Sequence, residues 1–172
     1  MTKKELASRT LKWAKEKGIL DKGNKCVQTL KLVEELDEFV EAAYLEFKEE
    51  AIVDAIGDCL VVMTSICYFI GEDISTIKPL DRYRSILGLL SDVSKGIIKD
   101  KNAEVIEAFA LIIARFEGTA GILGYTIEYC WEEALKVIEK RTGTMSLTGD
   151  FIKDAPAGII TTDGDFKPME NE

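Results

Sequence analysis

Five carboxylates on two neighbouring segments of this 172-residue chain have the types and spacing to do chemistry: Glu34, Glu35 and Glu38, then Asp54 and Asp58. Each residue of an α-helix turns by about 100°, so Gln28, Lys31, Glu35 and Glu38 fall on one narrow stripe. That stripe borders an apolar face made by Leu32, Val33, Leu36, Phe39, Val40 and Ala43. Taken alone, an acidic stripe is a solvated helix face, because Glu is a common helix former. The next segment changes that reading. From Ala51 to Ile70 the residues are apolar or small on every side, the pattern of a helix buried inside a bundle. Asp54 and Asp58 interrupt it at i, i+4 and share a face. A buried, unpaired carboxylate carries a large desolvation cost, and this segment contains no Lys or Arg. A divalent cation compensates the excess negative charge better than Lys31 alone.

The chain has no His and no paired Cys motif, so the donor set is all oxygen. It suits a hard ion such as Mg²⁺, with Mn²⁺ as a substitute, and it does not suit zinc. The expected metal ligands are Glu35, Glu38, Asp54 and Asp58. Glu34, one residue off the stripe, is placed to orient or deprotonate a water, and Lys31 to pair with a ligand carboxylate or touch phosphate. Because Mg²⁺ is commonly held jointly by carboxylates and substrate phosphates, the expected chemistry is that of phosphate. A glycine-rich phosphate loop is absent from the sequence, and the lack of His excludes a Ser-His-Asp triad.

The run QTLKLVEELDEF followed by DAIGDCLVV resembles the MazG-type nucleoside triphosphate pyrophosphohydrolases of the all-α family, especially its short, phage-encoded members. The family pattern is EExxE on one helix and ExxD on the next. Glu34, Glu35 and Glu38 match the first half. In the second half Ala55 stands three residues before Asp58, and Asp54 one residue further back. A later run, WEEALKVIEKRTGTMSLTGDFIK, is similar to the family's helix ending in IKxRxGxM followed by GxFxK, with Lys136 at the place of the expected Asn. The resemblance implies a helical bundle of five to six helices and Mg²⁺-dependent conversion of a (d)NTP and water to a (d)NMP and pyrophosphate. It also implies a homodimer or homotetramer with a pocket completed by a second subunit. A dUTP- or dCTP-selective relative is a competing member of the same class. From another class, a noncatalytic helical protein would use the acidic stripe as a solvated or partner-binding surface.

Composition bounds these readings. A net charge of −9 argues against nonspecific nucleic-acid binding, which needs a basic face, and an acidic enzyme that takes a polyanion needs a cation to neutralise it. Cys26, Cys59, Cys67 and Cys130 have no regular spacing and read as reduced, mostly core residues. The charged N-terminus lacks an apolar signal core, and the apolar run after Asp58 ends by Gly71, too short to span a bilayer. The expectation is a soluble cytoplasmic protein without membrane contact.

The elements that must position the carboxylates follow. Thr2 to Lys17 predicts a first helix carrying Trp13, either a core aromatic or a base-stacking platform. Ile19 to Lys25 has turn composition. The stripe helix then runs to Phe47, and a polar turn at Lys48 to Glu50 predicts an antiparallel return that sets Asp54 and Asp58 beside Glu38 and Glu35. Gly57 allows close helix approach or room for a ligand. Gly71 to Leu80 predicts a loop, and helices at Asp81 to Ile98 and Asn102 to Glu117 complete the bundle or form a dimer surface. A glycine-bearing link at 118–124 precedes a last helix, Tyr125 to Lys140. Its terminal cations Lys136, Lys140 and Arg141 either complement the helix dipole or contact substrate phosphate, Arg being the better bidentate partner. From Thr144 the alternation allows a small β-hairpin. The reading is one all-α domain over 1–155 and a loose tail over 156–172.

Overall fold

The computed structural model describes residues 1–154 and, beyond them, the backbone of two short strands. Its described residues form seven α-helices: α1 (Lys3–Glu16), α2 (Ile19–Lys22), α3 (Lys25–Val40), α4 (Glu49–Ile70), α5 (Ile86–Ile98), α6 (Asn102–Ile122) and α7 (Ile127–Ile138). Strands β1 (Gly143–Met145) and β2 (Phe151–Lys153) pair antiparallel, as do β3 (Gly158–Ile160) and β4 (Phe166–Pro168). The architecture is all-α with a small hairpin, as the periodicity predicts. Most of the tail over 156–172 lies outside the described residues.

Central to the bundle is α4, packed most extensively against α3 on one side and α7 on the other. By length and composition it could cross a membrane, yet 67% of its most apolar window is buried inside the protein. It is a core helix. Its Gly57 explains the fit with α7: an added Cβ would lie 2.4 Å from the Cys130 carbonyl oxygen and 2.5 Å from the Ala134 Cβ. Of the two uses open to Gly57, the backbone shows close helix approach.

Helix α3 starts at Asn24, whose side chain accepts hydrogen bonds from the Cys26 and Val27 amides, and it passes into a π-helical segment, Glu41–Glu46. Phe47 ends that segment in the left-handed region (φ 56°), so the chain reverses before α4 begins. The stripe helix therefore widens at its end. Phe39 stacks edge-on against Phe116 at 4.9 Å, tying α3 to α6.

Two boundaries differ from the sequence reading. Asp81 to Ser85 is not helical: the Leu80 amide donates to the Ala110 carbonyl, Arg115 donates to the Arg84 carbonyl, and the Ser85 hydroxyl caps α5. Those bonds to α6 replace helical ones. Conversely, α6 continues past Gly118 and Gly121, because Phe116 and Ala120 are buried in the core and packing outweighs the glycine penalty. The helix stops only at Gly124, where φ is +83°. Ile19–Lys22, read as a turn, makes one turn of helix.

Candidate functional site

Since α4 doubles back on α3 after a two-residue turn, the carboxylates meet in antiparallel order. Glu35 and Asp58 line one cleft, together with Lys31, Arg141, Asp150 and Lys153. Glu38 and Asp54 line an adjoining cleft with Glu41 and Glu46. The four expected ligands thus divide into two facing pairs. Glu35 and Asp58 are half-buried, whereas Glu38 and Asp54 are exposed.

The electrostatics set the first pair apart. Burial, reinforced by the charges of Asp58 and Glu38, pushes the Glu35 carboxyl up to about 7. Burial and the nearby Asp54 push Asp58 upward too, while Arg141 and Lys153 pull it back. Arg141 Nη2 lies 3.6 Å from Asp58 Oδ2. Two carboxylates held in a partly desolvated cleft with incomplete cationic compensation form a place where added positive charge is stabilised.

Several contacts deliver Arg141 to that point. Along the end of α7, the Trp13 indole N–H donates to the Ile138 carbonyl at 3.0 Å. Arg9 holds Glu139 by two hydrogen bonds of 2.5 and 2.6 Å. Deeper in the bundle, the Trp131 indole N–H donates to the Thr10 hydroxyl, which donates to the Leu6 carbonyl. The exit of α7 is fixed to α1 on both sides.

The remaining lining comes from the β1–β2 hairpin. Met145 pairs with Phe151 and Gly143 with Lys153, and the two-residue period of a strand puts Phe151 and Lys153 on one face, toward the cleft, with Ile152 exposed. Phe151 meets Trp13 edge-on at 6.3 Å. At the turn, Gly149 (φ +93°) sits against the Lys22–Gly23 backbone. Trp13 is therefore both a core residue, 8% exposed, and a wall of the cleft.

Of the other sequence-predicted residues, Gln28 and Lys31 line the cleft. Glu34 is exposed, paired with Lys31, and does not line the cleft. Lys136 is paired with Glu133 at 2.6 Å, and neither Lys136 nor Lys140 lines the cleft. Asp150, Phe151 and Lys153 line the cleft and lie outside the sequence-predicted site. Their signal was the GDFIK run itself, where a cation two positions from an aromatic shares its strand face.

Among the described residues, no group of three or more acidic or cysteine side chains forms a ready-made metal cage. The donor chemistry nevertheless fits Mg²⁺, which commonly takes one or two carboxylates and completes its shell with waters and phosphate oxygens. Glu35 and Asp58 supply such a pair.

No family model matches this chain, and no curated protein or solved structure matches it at a significant level.

Proposed function

We propose that this protein is a Mg²⁺-dependent nucleoside triphosphate pyrophosphohydrolase of MazG-like type, converting a (d)NTP and water to a (d)NMP and pyrophosphate. The observation that carries the reading is the cleft in which the half-buried Glu35 and Asp58 stand beside three cationic side chains, Lys31, Arg141 and Lys153. Carboxylates to hold a hard cation and cations to hold phosphate oxygens are the two halves of a triphosphate site.

In this reading Glu35 and Asp58 would hold the ion, and Glu38 and Asp54, on the same two helices, would add negative charge from the other cleft. The bound ion supplies Lewis-acid charge neutralisation. Arg141 and Lys153 bind and orient the phosphates on the open side, Arg141 with the fork geometry that suits phosphate oxygens. Glu34, the expected base, does not line the cleft and would have to leave Lys31 to take the proton of the attacking water as the bond between the α and β phosphates breaks and pyrophosphate leaves. Assembly as a homodimer or homotetramer in the cytoplasm belongs to the proposal through the resemblance.

The test is pyrophosphate release from a panel of ribo- and deoxyribonucleoside triphosphates, with Mg²⁺ and with chelator, for the wild type, Glu35→Gln and Glu38→Ala. Metal-dependent release that is lost in Glu35→Gln supports the reading. A folded wild type that releases no pyrophosphate from any nucleotide rejects it and favours the helical interaction protein.

A further inference from the structure

The cleft has two chemically different ends. Gln28 and Glu35 are seven residues apart on α3, as are Asp58 and Ser65 on α4, so each pair is separated by about 10 Å along its helix. Antiparallel packing puts Glu35 with Asp58 at one end and Gln28 with Ser65 at the other. That second end borders Val61 and Val62, and the aromatic side chains of Trp13 and Phe151 contribute apolar surface to the same cleft.

Its polar groups are almost all spent. The Trp13 indole N–H is used by the Ile138 carbonyl, and the Ser65 hydroxyl by the Val61 carbonyl. Gln28 differs. It is 7% exposed, yet its carboxamide makes no hydrogen bond to a described residue, and among the described residues no fully sealed side-chain nitrogen or oxygen lacks a partner. Its carboxamide nitrogen and oxygen are therefore not fully sealed, and Gln28 is one of the residues that line the cleft.

We infer that Gln28 reads the hydrogen-bonding edge of a nucleobase seated at this end of the cleft, and so sets which base is accepted. A carboxamide offers a donor and an acceptor side by side, the complement of the adjacent donor and acceptor on a base edge. Flat apolar walls suit the faces of the same ring. The distance to Glu35 and Asp58 is that of a ribose and its first phosphates, so the inference rests on the triphosphate reading for the other half of the ligand.

The probes are the four uncharged ribonucleosides and inorganic tripolyphosphate, titrated calorimetrically into wild type, Gln28→Leu and the near-isosteric Gln28→Glu, with circular dichroism melts to confirm folding. Wild type binds at least one nucleoside with preference. Both variants weaken that binding by roughly tenfold, the loss of one or two hydrogen bonds, and narrow the preference, while tripolyphosphate binding with Mg²⁺ is unchanged. If the wild type binds no nucleoside, or if a folded variant keeps the preference or loses tripolyphosphate equally, the inference is overturned. Nucleosides contain no anhydride bond, which separates the two claims. Gln28-dependent nucleoside binding without pyrophosphate release would sink the hydrolase alone, and release insensitive to Gln28 would sink the base reader alone.

Discussion

Arg141 Nη2 stands 3.6 Å from Asp58 Oδ2, joining the exit of the last helix to the middle of the most buried one. Asp58 is pushed up by burial and pulled down by this guanidinium. Removing it leaves a half-buried carboxylate with less compensation. Arg141→Ala is expected to lower kcat/KM by roughly 10- to 100-fold, the range for a charged hydrogen-bond partner, with partial recovery in Arg141→Lys. Steady-state kinetics of the three proteins check it, and equal activity of Ala and wild type would remove Arg141 from the site.

Metal-free stability should fall as pH rises through the window set by Glu35. Its carboxyl is raised from 4.5 to about 7, so between those values the folded protein binds more protons than the unfolded chain. The contribution is fully present below about 4.5 and lost as pH passes about 7. Chelator-treated protein melted across this range should show the slope, and Glu35→Gln should flatten it. A slope identical in both proteins would place its origin elsewhere.

Mg²⁺ should raise the melting temperature, because binding to the folded state alone stabilises by about 2.7 kcal/mol at a hundredfold excess over Kd. Glu35→Gln and Asp58→Asn should abolish the shift. Glu38→Ala and Asp54→Ala should only reduce it, since those side chains are exposed and face the adjoining cleft. Equal loss in all four variants would indicate a single shared centre instead of two pairs.

Gly57→Ala should destabilise by about 1–3 kcal/mol, the usual cost of overpacking. The new methyl would meet the Cys130 carbonyl oxygen at 2.4 Å, and α7 must move to admit it. Denaturant melts measure the loss. Because α7 leads into Arg141, activity in the folded fraction should drop as well, and a stable Gly57→Ala with full activity would contradict the rigid coupling of α7 to the site.

Much of the helical frame was legible because its signals are local. The 3.6-residue stripe of Leu32, Leu36 and Phe39 and the short return before Glu49 predict α3, α4 and their antiparallel meeting, whereas the Asn24 cap comes from the structure. The division of the carboxylates into two pairs was not legible, since it depends on which helix face α7 and the hairpin cover. Nor was the separation of Arg141 from Lys136 and Lys140: all three are cations near one helix end, and only the bonds from Trp13 and Arg9 decide which reaches Asp58. The continuation of α6 through Gly118 and Gly121 escaped the sequence for a related reason. Glycine marks local weakness, while the burial of Phe116 and Ala120 is a property of the whole core.

The hairpin makes no backbone hydrogen bond to a helix among the described residues, and it rests on α1 and the α2–α3 junction through Phe151 and the Gly149 turn. Synthesis from the N-terminus therefore delivers Glu35 and Asp58 long before Arg141 and Lys153 leave the ribosome. An unfinished chain carries the acidic half of the cleft without its basic half. The two charge signs of the cleft are thus joined last, by the segment that packs Phe151 against Trp13.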